Sequence, residues 1–267
     1  VNIIKPRLDI LPAAQQALWP ILDQIEPGFV LYGGTAIALY YGHRESVDFD
    51  FFGDPGFDPD AFKQKYDFLK KGKTIQIGPN TLSVIAETPK GEVKLSFFGG
   101  LQFGRAATPS VCNDTLVRLA SPLDLTVQKL KVIQVRSEAK DYLDLDCLLR
   151  NGIDLADALG AATAIYPDIS TALCLRALCY FEDGDVASIP TAAKERLEKA
   201  VQDVAGPTIR ERESAHIDIP PAVLEELKKT REVEAAATKI AIPAQKSKPS
   251  TAAATSGAHT KKSRARK

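Results

Sequence analysis

Long apolar runs are what this sequence has least of. No stretch approaches the roughly eighteen apolar residues that a membrane-spanning helix needs. The first residues, VNIIKPRLDILPAAQQ, lack the basic, apolar, small-residue order of a secretory signal. A cytoplasmic protein without membrane association is therefore expected. Cysteine is scarce too: Cys112, Cys147, Cys174 and Cys179 are the four among 267 residues, with no CxxC pair and no matched His/Cys spacing that would suggest zinc. They read as small buried apolar side chains. Net charge is absent only in sum. From Lys246 to Lys267 there are seven Lys or Arg and no Asp or Glu, so the rest of the chain is acidic by seven. An acidic body argues against broad nonspecific binding of polyanions, although a local basic groove would survive that average. No repeat of solenoid length is visible.

What is present, 45% hydrophobic and 25% charged residues, suffices for one or two compact domains. Residues 12 to 25, PAAQQALWPILDQI, have helical apolar spacing interrupted by Pro20. FVLYGG then reads as a buried strand ending in a glycine turn, TAIALYYG as a short helix stopped at Gly42, and SVDFDFFG as a strand with period-two alternation. Residues 60 to 71 suggest a polar helix. Thr74 to Gly99 reads as strands with a hairpin turn at PKG, 89 to 91. After Pro122 helical spacing takes over: DLTVQKLKVIQVRSEAKDYLDLDCLLRNG, finishing at Asn151-Gly152, then three further helix candidates. Beyond about Pro243 the chain is poor in bulky apolar residues and is expected to be disordered. The basic tail is either a nonspecific nucleic-acid tether or a solubilising terminus.

The chemistry concentrates in residues 33 to 52, GGTAIALYYGHRESVDFDFF. Gly33 and Gly34 follow a strand and open a helix, where bare backbone N–H groups can meet phosphate oxygens; Thr35 would add a hydroxyl donor. Asp48 and Asp50, at DxD spacing, share one face of the next strand, the geometry that shared Mg²⁺ coordination requires. Arg44 either holds a phosphate bidentately or pairs with Asp48 or Asp50 to order the loop. His43 reads as a packing or hydrogen-bonding residue rather than a base.

Strand, GGT, helix, then HRxSxDxDFF resembles the nucleotidyltransferase toxins of the AbiEii/AbiGii abortive-infection type. SPLDLTVQKLKVIQVRSEAKDYLDLDCLL resembles that family's second signature, a Lys on one helix followed by an Arg and a Lys-Asp-x-x-Asp stretch. The likeness spans about residues 30 to 190. It implies an α/β (α+β) nucleotidyltransferase fold with a mixed sheet, expected over 1–115 and followed by an all-helical domain over 116–206, while composition adds a linker with a short helix over 207–245 and a disordered basic tail over 246–267. It implies transfer of NMP from an NTP to a hydroxyl of RNA, such as a tRNA 3′ end, or of a protein, and a cognate antitoxin as partner. Asp48 and Asp50 would hold Mg²⁺ in a two-metal site, and Gly33, Gly34 and Thr35 the phosphates. Lys129 would contact phosphate, while Lys140, Asp141 and Asp144 would line or brace the same cleft. Read from the residues alone, Lys129 is equally a solvated helix charge, and Asp141 and Asp144 a polar helix face paired locally with Lys140.

One position departs from the pattern. Nucleotidyltransferases of this kind commonly carry a third carboxylate on a neighbouring strand, and that position falls on Ser96, a poor Mg²⁺ ligand. Glu92 lies on the same strand face about 13 Å away, too far to substitute simply. Asp144 or a metal-bound water would have to supply the missing function, and the alternative is a catalytically degenerate nucleotide-binding or interaction protein of the same fold.

Overall fold

The structure, a computed structural model, describes residues 2–102 and 104–206 together with Glu225, Lys228, Lys229 and Glu232. Those four positions are helical. The rest of the expected 207–245 linker and the 246–267 tail lie outside the described residues.

The strands are β1 (Asn2–Ile4), β2 (Phe29–Tyr32), β3 (Asp48–Gly53), β4 (Lys73–Gly78), β5 (Thr81–Thr88), β6 (Gly91–Phe98), β7 (Ser110–Cys112) and β8 (Arg118–Leu119). They form one mixed sheet in the order β1-β7-β8-β2-β3-β6-β5-β4. At its centre β2 runs antiparallel to β3, and β3 parallel to β6. The helices are α1 (Ala13–Leu18), α2 (Gly33–Tyr41), α3 (Pro59–Lys65), α4 (Asp67–Lys70), α5 (Pro122–Val132), α6 (Ala139–Arg150), α7 (Leu155–Ile165), α8 (Thr171–Leu178) and α9 (Thr191–Gln202). None is long and apolar enough, among the described residues, to cross a membrane.

Several elements form for reasons visible in the residues. β3 alternates partly and fully buried positions, so Phe49 and Phe51 enter the core while Asp48 and Asp50 take the opposite face. Phe51 stacks on Phe97 of β6 with ring centroids 5.2 Å apart, and Phe49 lies 6.1 Å from Trp19. At Pro20 the α1 helix gives way to a 3-10 segment, Trp19–Gln24. Proline cannot donate the backbone bond that would extend an α-helix. Gly42 ends α2 in the left-handed region at φ +63°, its N–H bonding to the Ala38 carbonyl.

Three expectations are corrected here. The polar helix of 60 to 71 is two helices, because Tyr66 takes an extended conformation and buries its ring. The helical stretch after Pro122 breaks at 133–138 into α5 and α6, with Glu138 extended before α6. Cys179 is exposed, unlike the other three cysteines, because it follows the end of α8.

Two apolar clusters hold the structure together. One joins the sheet to α1–α4; the other fills the space among α5–α9 around Leu130, Tyr142, Leu145 and Leu159. Each fully buried leucine contributes about 1.5–3 kcal/mol by leaving water. Ile153, between α6 and α7, touches both clusters. Helix α2 also packs directly against α5 and α6, so the glycine turn and the helical half are positioned by the same contacts.

Candidate active site

A cleft of about 480 Å³ opens between the polar face of β3 and β6, the start of α2, and the α5–α6 pair. Its size falls within the usual range for small-molecule sites. Gly33, Gly34, Arg44, Asp48, Asp50, Lys129 and Lys140, seven of the residues singled out from the sequence, line it.

The glycines are required by close approach. Gly33 has φ +73°, and a Cβ there would lie 3.2 Å from Asp50 Oδ2. A Cβ on Gly34 would lie 2.4 Å from Arg44 Nη2 and 2.9 Å from Ser46 Oγ. The start of α2, with its outward N–H groups and positive dipole end, therefore stands against the carboxylate face. The Gly33 N–H donates to Gln128 Oε1 at 3.3 Å, a bond to a side chain on α5 that an entering anion could replace.

The parallel register sets Asp48 opposite Lys94 and Asp50 opposite Ser96. Lys94 Nζ is 3.6 Å from Asp48 Oδ2, both side chains about 40% exposed. The Asp50 carboxyl is pushed up, first by burial and then by the neighbouring Asp48 charge; Lys94, a hydrogen bond with Ser96 and Lys129 pull the other way. Two carboxylates forced together against their own repulsion are the donor set that a divalent cation relieves. No group of three or more His, Cys, Asp or Glu side chains suited to a metal occurs among the described residues. Mg²⁺ does not demand one, since it commonly takes one or two protein carboxylates and fills its shell with water and substrate phosphate. Asp48 and Asp50 fit that mode.

Behind the cleft runs an alternating chain of charges. Arg44 donates from Nε and Nη2 to the two oxygens of Asp144, each at 2.7 Å, and His43 Nε2 lies 2.6 Å from Asp144 Oδ1. Lys129 Nζ sits 2.6 Å from both Asp144 and Asp141. Arg136 closes on Asp141 with bonds of 2.9 and 3.2 Å. Burial alone would raise the pKa of Asp144, but the His43 bond and the Lys129 and Arg44 charges outweigh it and hold the carboxyl well below its ordinary value. Asp141 is lowered in the same way, with Arg136 and Lys129 overcoming burial.

These contacts correct several expectations. Arg44 pairs with Asp144, not with Asp48 or Asp50, because the loop after Gly42 carries it toward α6. Thr35 offers no hydroxyl to a ligand: it is buried and its Oγ1 donates to the Asp48 carbonyl, which fixes the strand that bears the carboxylates. Lys129 is no solvated helix charge, being 5% exposed, and Asp141 and Asp144 pair with it rather than with Lys140. Asp144, fully buried and held by three cationic or imidazole groups, is a brace and cannot serve as the missing base. Lys140 stands at the cleft wall, paired with Glu138 at 2.7 Å. His43 takes the hydrogen-bonding role read from the sequence.

Sequence reasoning missed Lys94 and Gln128. Lys94 lies two residues before Ser96, so period-two alternation puts both on one face, a signal that was available. Gln128 had no such signal, because only the packing of α5 against α2 brings it to Gly33.

Residues 21–218 match the model of the family described as "Nucleotidyl transferase AbiEii toxin, Type IV TA system". An uncharacterized protein of Aquifex aeolicus is 32% identical over 158 residues, covering 58% of this chain and 74% of that protein. Among solved structures, the nucleotidyltransferase toxin MenT4 of Mycobacterium tuberculosis H37Rv aligns over 82% of this chain and 90% of its own at 12% identity, with a TM-score of 0.49.

Proposed function

The chain belongs to the AbiEii family of nucleotidyl transferase toxins of type IV toxin–antitoxin systems, and on that premise we propose that it transfers NMP from a Mg²⁺-bound NTP to a hydroxyl of RNA, such as a tRNA 3′ end, or of a protein. The observation that carries this reading is the juxtaposition of a bare helix start and a paired-carboxylate face: the Gly33 Cα carries no side chain where Asp50 Oδ2 approaches. An anion subsite and a cation subsite thus share one wall of one cleft.

In this reading the sheet half, 1–115, holds the triphosphate and the ion, and the helical half, 116–206, supplies a cationic wall. Asp48 and Asp50 hold Mg²⁺, which when bound neutralises phosphate charge and orients the reacting phosphoryl group. Gly33 and Gly34 present backbone donors to the phosphates. Lys129, fixed between Asp141 and Asp144, and Lys140 at the wall place positive charge where the pyrophosphate leaving group accumulates negative charge. Arg44 shapes the phosphate turn by filling the space that Gly34 leaves open. A cognate antitoxin that restrains the toxin completes the system.

A second reading rests on Ser96. It stands directly opposite Asp50, where a third carboxylate would help to activate the acceptor hydroxyl, and serine is no base at neutral pH. In that reading the cleft binds NTP without turning it over. Incubation with Mg²⁺, α-labelled NTPs and total RNA or cell lysate separates the two. Label appearing on an acceptor, and lost in Asp48→Ala and Asp50→Ala, supports transfer; NTP binding with no transferred label supports the degenerate site.

A further inference from the structure

The acidic face of the sheet does not end at Asp50 and Ser96. The next pair in the same parallel register is Phe52 and Phe98, and both line the cleft. Their placement is unlike that of the other aromatic residues on these strands. Phe49, Phe51 and Phe97 point to the opposite face and are fully buried in the sheet core. Phe52 and Phe98 share the carboxylate face and remain only partly buried. Their ring centroids are 5.0 Å apart with planes inclined by 31°, so the two rings lean on each other in a tilted, offset stack beside the cleft. Tyr32 meets Phe52 edge-on at 5.2 Å and holds that ring in place, and Val132 of α5 adds an apolar contact to the cleft.

We infer that Phe52 and Phe98 form a stacking platform for the nucleobase of the NTP, an assignment that rests on reading this cleft as a nucleotide site. The spacing agrees with such an occupant. At about 3.3 Å per residue the pair lies about 6.6 Å along the strands from Asp50 and Ser96, which leaves room for a ribose between phosphates and base. A π-face accepts any base, because stacking does not read the hydrogen-bonding edges. The platform therefore supplies affinity for a nucleoside rather than choice of one base, with larger purine rings held more tightly than pyrimidines.

Calorimetric titration of the full chain with Mg·ATP, Mg·CTP and Mg·tripolyphosphate tests this. Phe98→Leu keeps apolar volume but removes the π-face. It is expected to weaken ATP binding by roughly 5- to 150-fold while leaving tripolyphosphate binding unchanged, and to shrink the ATP-over-CTP preference. Phe98→Tyr restores the π-face and should bind ATP within about threefold of the parent protein. The platform is overturned if Phe98→Leu leaves ATP affinity intact, or if ATP and tripolyphosphate weaken together, or if Phe98→Tyr fails to restore binding. Should the parent protein bind neither ATP nor tripolyphosphate, the nucleotide reading of the cleft is itself refuted and the platform falls with it.

Discussion

Asp50 shows how function opposes stability at a single residue. Its carboxylate is partly buried beside a second one, an arrangement that lowers folded-state stability unless a cation is bound. Asp50→Asn removes one charge at nearly constant shape. The variant should melt a few degrees higher than the parent in metal-free buffer, yet transfer no label. A calorimetric scan and the labelling assay measured together check the pair of outcomes, and a lower melting temperature would contradict the strained-carboxylate account. Gly34 carries the complementary lesson. An alanine Cβ would collide with the far end of a flexible side chain, ordinarily a mild clash, but here that end is pinned by two bonds to a buried aspartate.

At the scale of elements, α5 and α6 are held to the loop after α2 by the charges on Lys129, Asp141, Asp144 and Arg44. Lys129 is nearly inaccessible to water, so its attraction to the two carboxylates is little screened. Lys129→Met leaves two buried carboxylates short of a partner and should cost about 3–5 kcal/mol in urea unfolding. The same network predicts a pH dependence. Asp144 has a folded pKa below its unfolded value of about 3.9, so its stabilisation is fully present above that value. It is lost as pH falls through the depressed folded pKa. Asp144→Asn should therefore be less stable at neutral pH but show a shallower loss of stability below about pH 4. Circular dichroism of both proteins between pH 2 and pH 7 checks the difference in slope.

Across the whole molecule, the cleft couples the sheet to the helices, so a ligand bound there stabilises both. The paired carboxylates and a triphosphate repel each other unless a cation stands between them. Mg²⁺ and NTP together should raise the melting temperature, by about 2.7 kcal/mol of binding free energy at a hundred times the dissociation constant. NTP with a chelator should raise it far less. Equal shifts with and without Mg²⁺ would show that Asp48 and Asp50 do not hold the ion.

The sequence by itself determined the parts whose geometry is local. Strand alternation put Asp48 and Asp50 on one face, Gly42 stopped α2, and the Gly33-Gly34 step marked a turn where side chains do not fit. That Ser96 stands opposite Asp50 is a matter of how β3 pairs with β6, which only the folded sheet shows. Tertiary structure alone decided which charges meet. Arg44 and Asp144 are 100 residues apart, and Arg44 had nearer carboxylates to choose from, in Asp48 and Asp50. Burial made the choice: Asp144 is shut away from water and needs compensating charge, whereas Asp48 is open to solvent and already faces Lys94. No spacing along the chain encodes that difference, since desolvation exists only once the helices have packed.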